Sequence, residues 1–277
     1  MKKPVVLEIE SSHDDTSFPI MAIGDSLTRG FYNNGMNYHP YSVELQRLLN
    51  EPIGTNQDHS SIIIIENNIP KDVPLRTSYN VYQFGVNGEQ TPEMKDRLPR
   101  FLKKQLSQKD VQYHRPDETF DNMYPNEVPL IPLQDYRGVI IIGGTNDFVF
   151  SQSSSEQVFK NLLDMYQICL NEKSVEFVVA CSTPSCYADN IEQFRDVFYK
   201  KKLKLNESIL KFVEEYNQKQ IPGKKMVFVD LMNEINWFKC TPEERKEYWA
   251  SDNLHFSPKG SDKLAQILFN ALKKALM

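Results

Sequence analysis

Short apolar runs of strand length alternate with longer amphipathic stretches, and this alternation predicts an α/β fold with a mostly parallel central sheet. Each apolar run also ends at a polar or glycine-containing turn, the place where sites gather in such folds. The strands are expected at residues 19–23, 79–84, 138–142, 175–180 and 226–230. Helical patterns lie between them at 40–49, 92–105, 156–170 and 190–218.

The fourth helical pattern carries Leu205, Ile209, Phe212, Val213 and Tyr216 at the spacing of one buried stripe. Its basic run, Lys200, Lys201, Lys202 and Lys204, is expected to be a solvated helix surface. A last helix starts at the signal Ser257–Pro258, and its stripe of Leu264, Ile267, Leu268, Ala271, Leu272 and Ala275 should close the fold against the sheet.

The chain has 277 residues, 40% hydrophobic and 25% charged, enough to bury a core in one large or two small domains. The parallel-sheet pattern favours one domain over 1–277, with its core at about 19–276. Two long segments, near 51–78 and 107–135, interrupt the short connections, the second with Pro116, Pro125, Pro129 and Pro132. The run 62–65 in the first segment reads equally as loop or as an added edge strand.

A formal charge of −5 offers no basic field for nucleic acid or an anionic membrane surface, so a small or neutral partner is expected. The apolar runs 62–65 and 139–142 are too short to span a bilayer. The start, Met1-Lys2-Lys3-Pro4, soon turns acidic at Glu8, Glu10, Asp14 and Asp15 without a signal-like apolar stretch, and a soluble, cytoplasmic location is expected. Cys169, Cys181, Cys186 and Cys240 show no metal or redox spacing and read as free thiols. Asn206-Glu207-Ser208 matches a glycosylation sequon that such a location would leave idle.

The first strand runs into Gly24-Asp25-Ser26-Leu27-Thr28-Arg29-Gly30. A serine at the carboxyl end of a central strand, beside a turn-permitting glycine, can expose its hydroxyl and aim its N–H at the same reacting carbonyl. Ser after Asp is equally a common turn or helix cap. The second strand ends in Gly85-Val86-Asn87-Gly88-Glu89-Gln90-Thr91 and the third in Gly143-Gly144-Thr145-Asn146-Asp147. Both place glycine and a side-chain amide where open parallel sheets collect ligands, although each turn alone could be backbone punctuation. Near the end of the chain, Asp252-Asn253-Leu254-His255 precedes the last helix. That separation lets a carboxylate reach one ring nitrogen while the other faces outward, as a general base requires. His13, His39, His59 and His114 lack such a partner and read as structural, though His39 lies close enough after the serine turn to line the site.

These four blocks, in this order relative to the strands, resemble the SGNH hydrolase family, also called GDSL esterases and lipases, over about 19–276. The resemblance implies a three-layer α/β/α sandwich around a five-stranded, mostly parallel sheet of flavodoxin-like type. It makes Ser26 the nucleophile, Asp252 and His255 its dyad, and Gly88 and Asn146 the partners of the Ser26 N–H in the oxyanion hole. It implies a serine esterase that hydrolyses acyl or acetyl esters through an acyl-enzyme, with a small-molecule ester as partner and neither metal nor organic cofactor. The same triad with an alcohol acceptor would make an O-acyltransferase, and a binding module with a degenerate site is the reading from another class. The segment at 107–135, where a short connection is expected, leaves the substrate open. The chain lacks the G-x-S-x-G elbow of α/β-hydrolases.

Overall fold

The computed structural model describes residues 17–51, 78–105 and 134–276. Five parallel strands form the central sheet: β1 (Ser17–Gly24), β4 (Ser78–Gly85), β5 (Gly138–Ile142), β6 (Phe177–Cys181) and β7 (Lys225–Val229). Two short strands, β2 (Phe31–Tyr32) and β3 (Asn37–Tyr38), pair antiparallel as a separate hairpin. The sheet order is β4-β1-β5-β6-β7. The chain steps from β1 to β4 on one side and returns to β5 on the other, so the order reverses beside β1. Crevices in open parallel sheets form at the carboxyl ends of the strands flanking that reversal. Gly24 is in register with both Gly85 and Ile142, which brings the ends of β1, β4 and β5 level.

Both faces of the sheet are apolar and each is covered by helices, the arrangement an all-parallel sheet needs. Ile20, Ala22, Ile140, Ile142, Val179 and Val227 share one core with α2 (Tyr41–Asn50) and the last helix, α9 (Pro258–Leu276). Met21, Ile23, Val139, Ile141, Val178 and Ala180 share the other with α3 (Thr91–Leu102), α5 (Ser155–Asn171) and α6 (Lys200–Gln218). Among the described residues, shorter helices include α1 (Ser26–Arg29), α4 (Thr145–Val149), α7 (Leu231–Glu234) and α8 (Pro242–Tyr248). Ser257 caps α9 by accepting from the Gly260 N–H at 3.1 Å. Leu264, Ile267, Leu268 and Leu272 are buried from its stripe, each worth about 1.5–3 kcal/mol of apolar burial.

Two expectations change. The pattern at 190–218 is not one helix: a short turn at Glu192–Phe194 and a wider π turn at Arg195–Tyr199 precede α6. Lys202 is not solvated but 2% exposed, because its ammonium is consumed inside the protein by Asp189 and the Pro184 carbonyl. Asn206 of the sequon is buried as well, exchanging hydrogen bonds with the Thr183 backbone at 2.8 and 3.0 Å, which fits its reading as idle. The segments 51–78 and 107–135, with the run 62–65, lie mostly outside the described residues, as do His13, His59 and His114. Among the described residues no helix is long and apolar enough to cross a membrane.

Candidate active site

Ser26 is positioned by the abrupt change from β1 to α1. A Cβ on Gly24 would lie 2.2 Å from Thr28 Oγ1 and 2.5 Å from the Ile142 carbonyl, so the chain can fold back here only over glycine. Asp25 then caps α1, its Oδ1 accepting from the Leu27 N–H at 2.9 Å. Ser26 becomes the first residue of that helix, where an N–H has no intrahelical partner. Burial pushes the Asp25 carboxyl up to about 7, and the neighbouring carboxylates Glu89 and Asp147 add to the shift against the opposing bond from Leu27.

The loop before α9 brings in Asp252 and His255. It is closed by the isolated bridge between Trp249 and Phe256 and by the Ala250 N–H donating to the His255 carbonyl at 2.8 Å. Inside it, Asp252 Oδ1 accepts from the N–H groups of Leu254 and His255, both at 2.9 Å, and Oδ2 lies 2.7 Å from His255 Nδ1. His255 Nε2 lies 2.8 Å from Ser26 Oγ. The Phe31 ring packs on the imidazole, centroids 4.5 Å apart. Partial burial works against the Asp252 charge, but the hydrogen bonds from His255 and Leu254 outweigh it and hold the carboxyl below its ordinary range.

The third component is a pair of stapled turns. Val86 to Glu89 forms a turn closed by the Glu89 N–H on the Val86 carbonyl at 3.2 Å, with Gly88 at φ +74°. That left-handed value at the third turn position favours glycine. The Val86 N–H donates to the Gly24 carbonyl at 3.0 Å, which sets this turn beside Ser26. Asn146, on α4, donates through Nδ2 to the Glu89 carbonyl at 3.0 Å, leaving one amide hydrogen for another acceptor. Asp147 accepts from Thr91 at both its N–H (3.0 Å) and its hydroxyl (2.6 Å). The turns bearing Ser26, Gly88 and Asn146 are thus tied to one another, and Asp252 and His255 face the first of them.

A family model described as GDSL-like Lipase/Acylhydrolase matches residues 20–268. The chain belongs to this GDSL family. No curated protein matches it. Among solved structures it is similar to the lipase/acylhydrolase from Enterococcus faecalis, at 15% identity and TM-score 0.56, over 94% of this chain and 97% of that one. A member of the lipolytic protein G-D-S-L family from Veillonella parvula matches at 15% identity and TM-score 0.54, over 93% and 99% of the two chains. At such identities the likeness shows a shared fold.

Within this GDSL chain, His39 does not join the site: its Nε2 lies 2.7 Å from Asp262 Oδ1 on α9. Cys169, Cys181 and Cys186 are buried free thiols and Cys240 is half-buried. Among the described residues no group of His, Cys, Asp and Glu side chains is placed to hold a metal ion. Several site neighbours were not singled out from sequence. Asp147 and Thr91 lie within the quoted motifs, where nothing in the linear pattern pairs them. Arg97 had a readable signal: it falls on the buried stripe of α3 with Met94, Leu98 and Phe101, where a charge needs a partner. Glu89 is that partner, with the guanidinium's Nε and Nη2 each 2.6 Å from a carboxylate oxygen.

Proposed function

We propose that this GDSL hydrolase is a serine esterase working through an acyl-enzyme. His255 Nε2 takes the Ser26 hydroxyl proton as Oγ attacks an ester carbonyl, and Asp252 holds Nδ1 so that the imidazole presents the correct nitrogen and its cation is stabilised. The charge developing on the carbonyl oxygen is met by the Ser26 and Gly88 N–H groups and the free amide hydrogen of Asn146. His255 then gives the proton to the leaving alcohol and activates water to release the acid.

The observation that carries this reading is the unbroken series Asp252 Oδ2 to His255 Nδ1 at 2.7 Å and His255 Nε2 to Ser26 Oγ at 2.8 Å. A degenerate binding module has no use for a serine hydroxyl bonded to an oriented imidazole. The test is labelling by a fluorophosphonate probe together with hydrolysis of p-nitrophenyl acetate. Both should occur in the wild type and vanish in folded Ser26→Ala; a labelled or fully active Ser26→Ala protein would discard the reading. Repeating the assay with an added alcohol separates ester exchange from hydrolysis.

A further inference from the structure

Arg97 is 3% exposed, yet its guanidinium touches the strand ends that lead to Ser26 and Gly88, and the side chain of Glu89, whose carbonyl receives the Asn146 amide. Besides gripping the Glu89 carboxylate, Nη2 donates to the Phe84 carbonyl at 2.7 Å and lies 3.3 Å from the Gly24 carbonyl. Phe84 stands near the end of β4, just before the turn that holds Gly88, and Gly24 ends β1, just before Ser26. Glu89 closes the Gly88 turn, and its own carbonyl receives the Asn146 amide at 3.0 Å. One planar cation is therefore bonded to two strand ends and to the residue that links the Gly88 and Asn146 turns.

Stability alone is a poor reason for this arrangement. Desolvating a guanidinium and a carboxylate offsets most of their attraction, and apolar side chains of similar volume often do as well. Helix α3 already buries Met94, Leu98, Phe101 and Leu102 on that side. What an apolar residue at 97 lacks is the ability to fix three acceptors at set separations, for which the rigid fork of an arginine is suited and a lysine is not.

We propose that Arg97 is a positioning residue for the reaction, setting the spacing between the Ser26 and Gly88 N–H groups and the Asn146 amide by binding Gly24, Phe84 and Glu89 together. The inference rests on the esterase reading of the site. Misplaced donors weaken an interaction made mainly in the transition state, so the loss falls on kcat and leaves KM nearly untouched.

The experiment compares Arg97→Lys with Leu98→Ala, the adjacent fully buried residue of the same helix, using p-nitrophenyl acetate well below both melting temperatures. Arg97→Lys should lose about tenfold or more in kcat with KM within about threefold. Leu98→Ala, though destabilised, should keep kcat within about twofold. In the double variant Arg97→Lys/Asn146→Ala the two losses should combine to less than their product, since both act on one set of donors. If Arg97→Lys does not fold, Glu89→Gln, which keeps an acceptor but removes the charge from the clamp, takes its place and should show the same kcat-selective loss. A folded variant with kcat within about threefold of wild type, or fully multiplicative losses, overturns the inference. Activity surviving in Ser26→Ala overturns the esterase reading instead, and the two failures are distinct.

Discussion

Replacing Asn146 by alanine separates an electrostatic role from a structural one, because the side chain does something measurable in each. Its Nδ2 bond to the Glu89 carbonyl lies in a buried setting, and removing it leaves an unsatisfied acceptor that costs about 1–3 kcal/mol. In a protein of this size that lowers the melting temperature by roughly 2–10 °C. Against a typical stability of about 5–15 kcal/mol, even the larger cost leaves roughly 97% of molecules folded at room temperature. Unfolding can therefore remove only a few per cent of the rate. Loss of one oxyanion donor costs about 2.7–4 kcal/mol in the transition state, or about 10²- to 10³-fold in kcat, with KM little changed. Initial rates of p-nitrophenyl acetate hydrolysis, measured beside a circular-dichroism melt, resolve the two. A fully folded Asn146→Ala protein with kcat within about threefold of wild type would refute the assignment.

Three further outcomes follow from charged side chains held by the fold. Asp25 has a folded pKa of about 7 against 3.8 for an ordinary carboxyl, so between those values the folded protein holds the extra proton and stability falls as pH rises, by on the order of 4 kcal/mol in full. Asp25→Asn keeps the acceptor for Leu27 but not the charge, so its gain in urea midpoint over wild type should widen from pH 5 to pH 8; a constant difference would contradict this. Asp252 has its carboxyl held low, so its contribution to stability is present at neutral pH and is lost as pH falls through the folded value. Asp252→Asn can still accept from Leu254 and His255 at Oδ1 but no longer fixes the ring tautomer, and activity should fall by up to about 10⁴-fold with the fold retained; undiminished turnover would remove Asp252 from the mechanism. Lys202→Met strands the fully buried Asp189 without its cation and should cost about 3–5 kcal/mol by chemical denaturation. Adding Asp189→Asn should restore much of that, and two independent, additive losses would be the contrary result.

The five strands and the last helix are legible in sequence because each is written in local pattern, and the residues of the proposed mechanism lie in short local motifs whose roles the family resemblance supplied. Strands β1 and β5 are short apolar runs closed by glycine, and Asp252 and His255 belong to one turn. What local pattern cannot carry is which distant polar group meets which. Asp147 and Thr91 are bonded across fifty-six positions, and Lys202 reaches back to Asp189 across thirteen. Lys202 lies three residues before Leu205 and seven before Ile209, on the buried stripe of α6, which marks it as the lysine that turns inward; what the sequence hides is its partner, Asp189. The break at 195–199 was likewise hidden, since a π turn keeps the composition of the helix it interrupts.

The docking of α9 also ties together stretches far apart in the chain. Ser261 Oγ donates to the His39 carbonyl at 2.6 Å and Asp262 holds the His39 ring, so the final helix is clasped to the stretch just after the serine turn. The loop bearing His255 sits at the head of that helix and reaches Ser26 across 229 positions of chain. Loosening α9 would therefore draw the proposed base away from Ser26 together with the helix that seals one apolar face of the sheet.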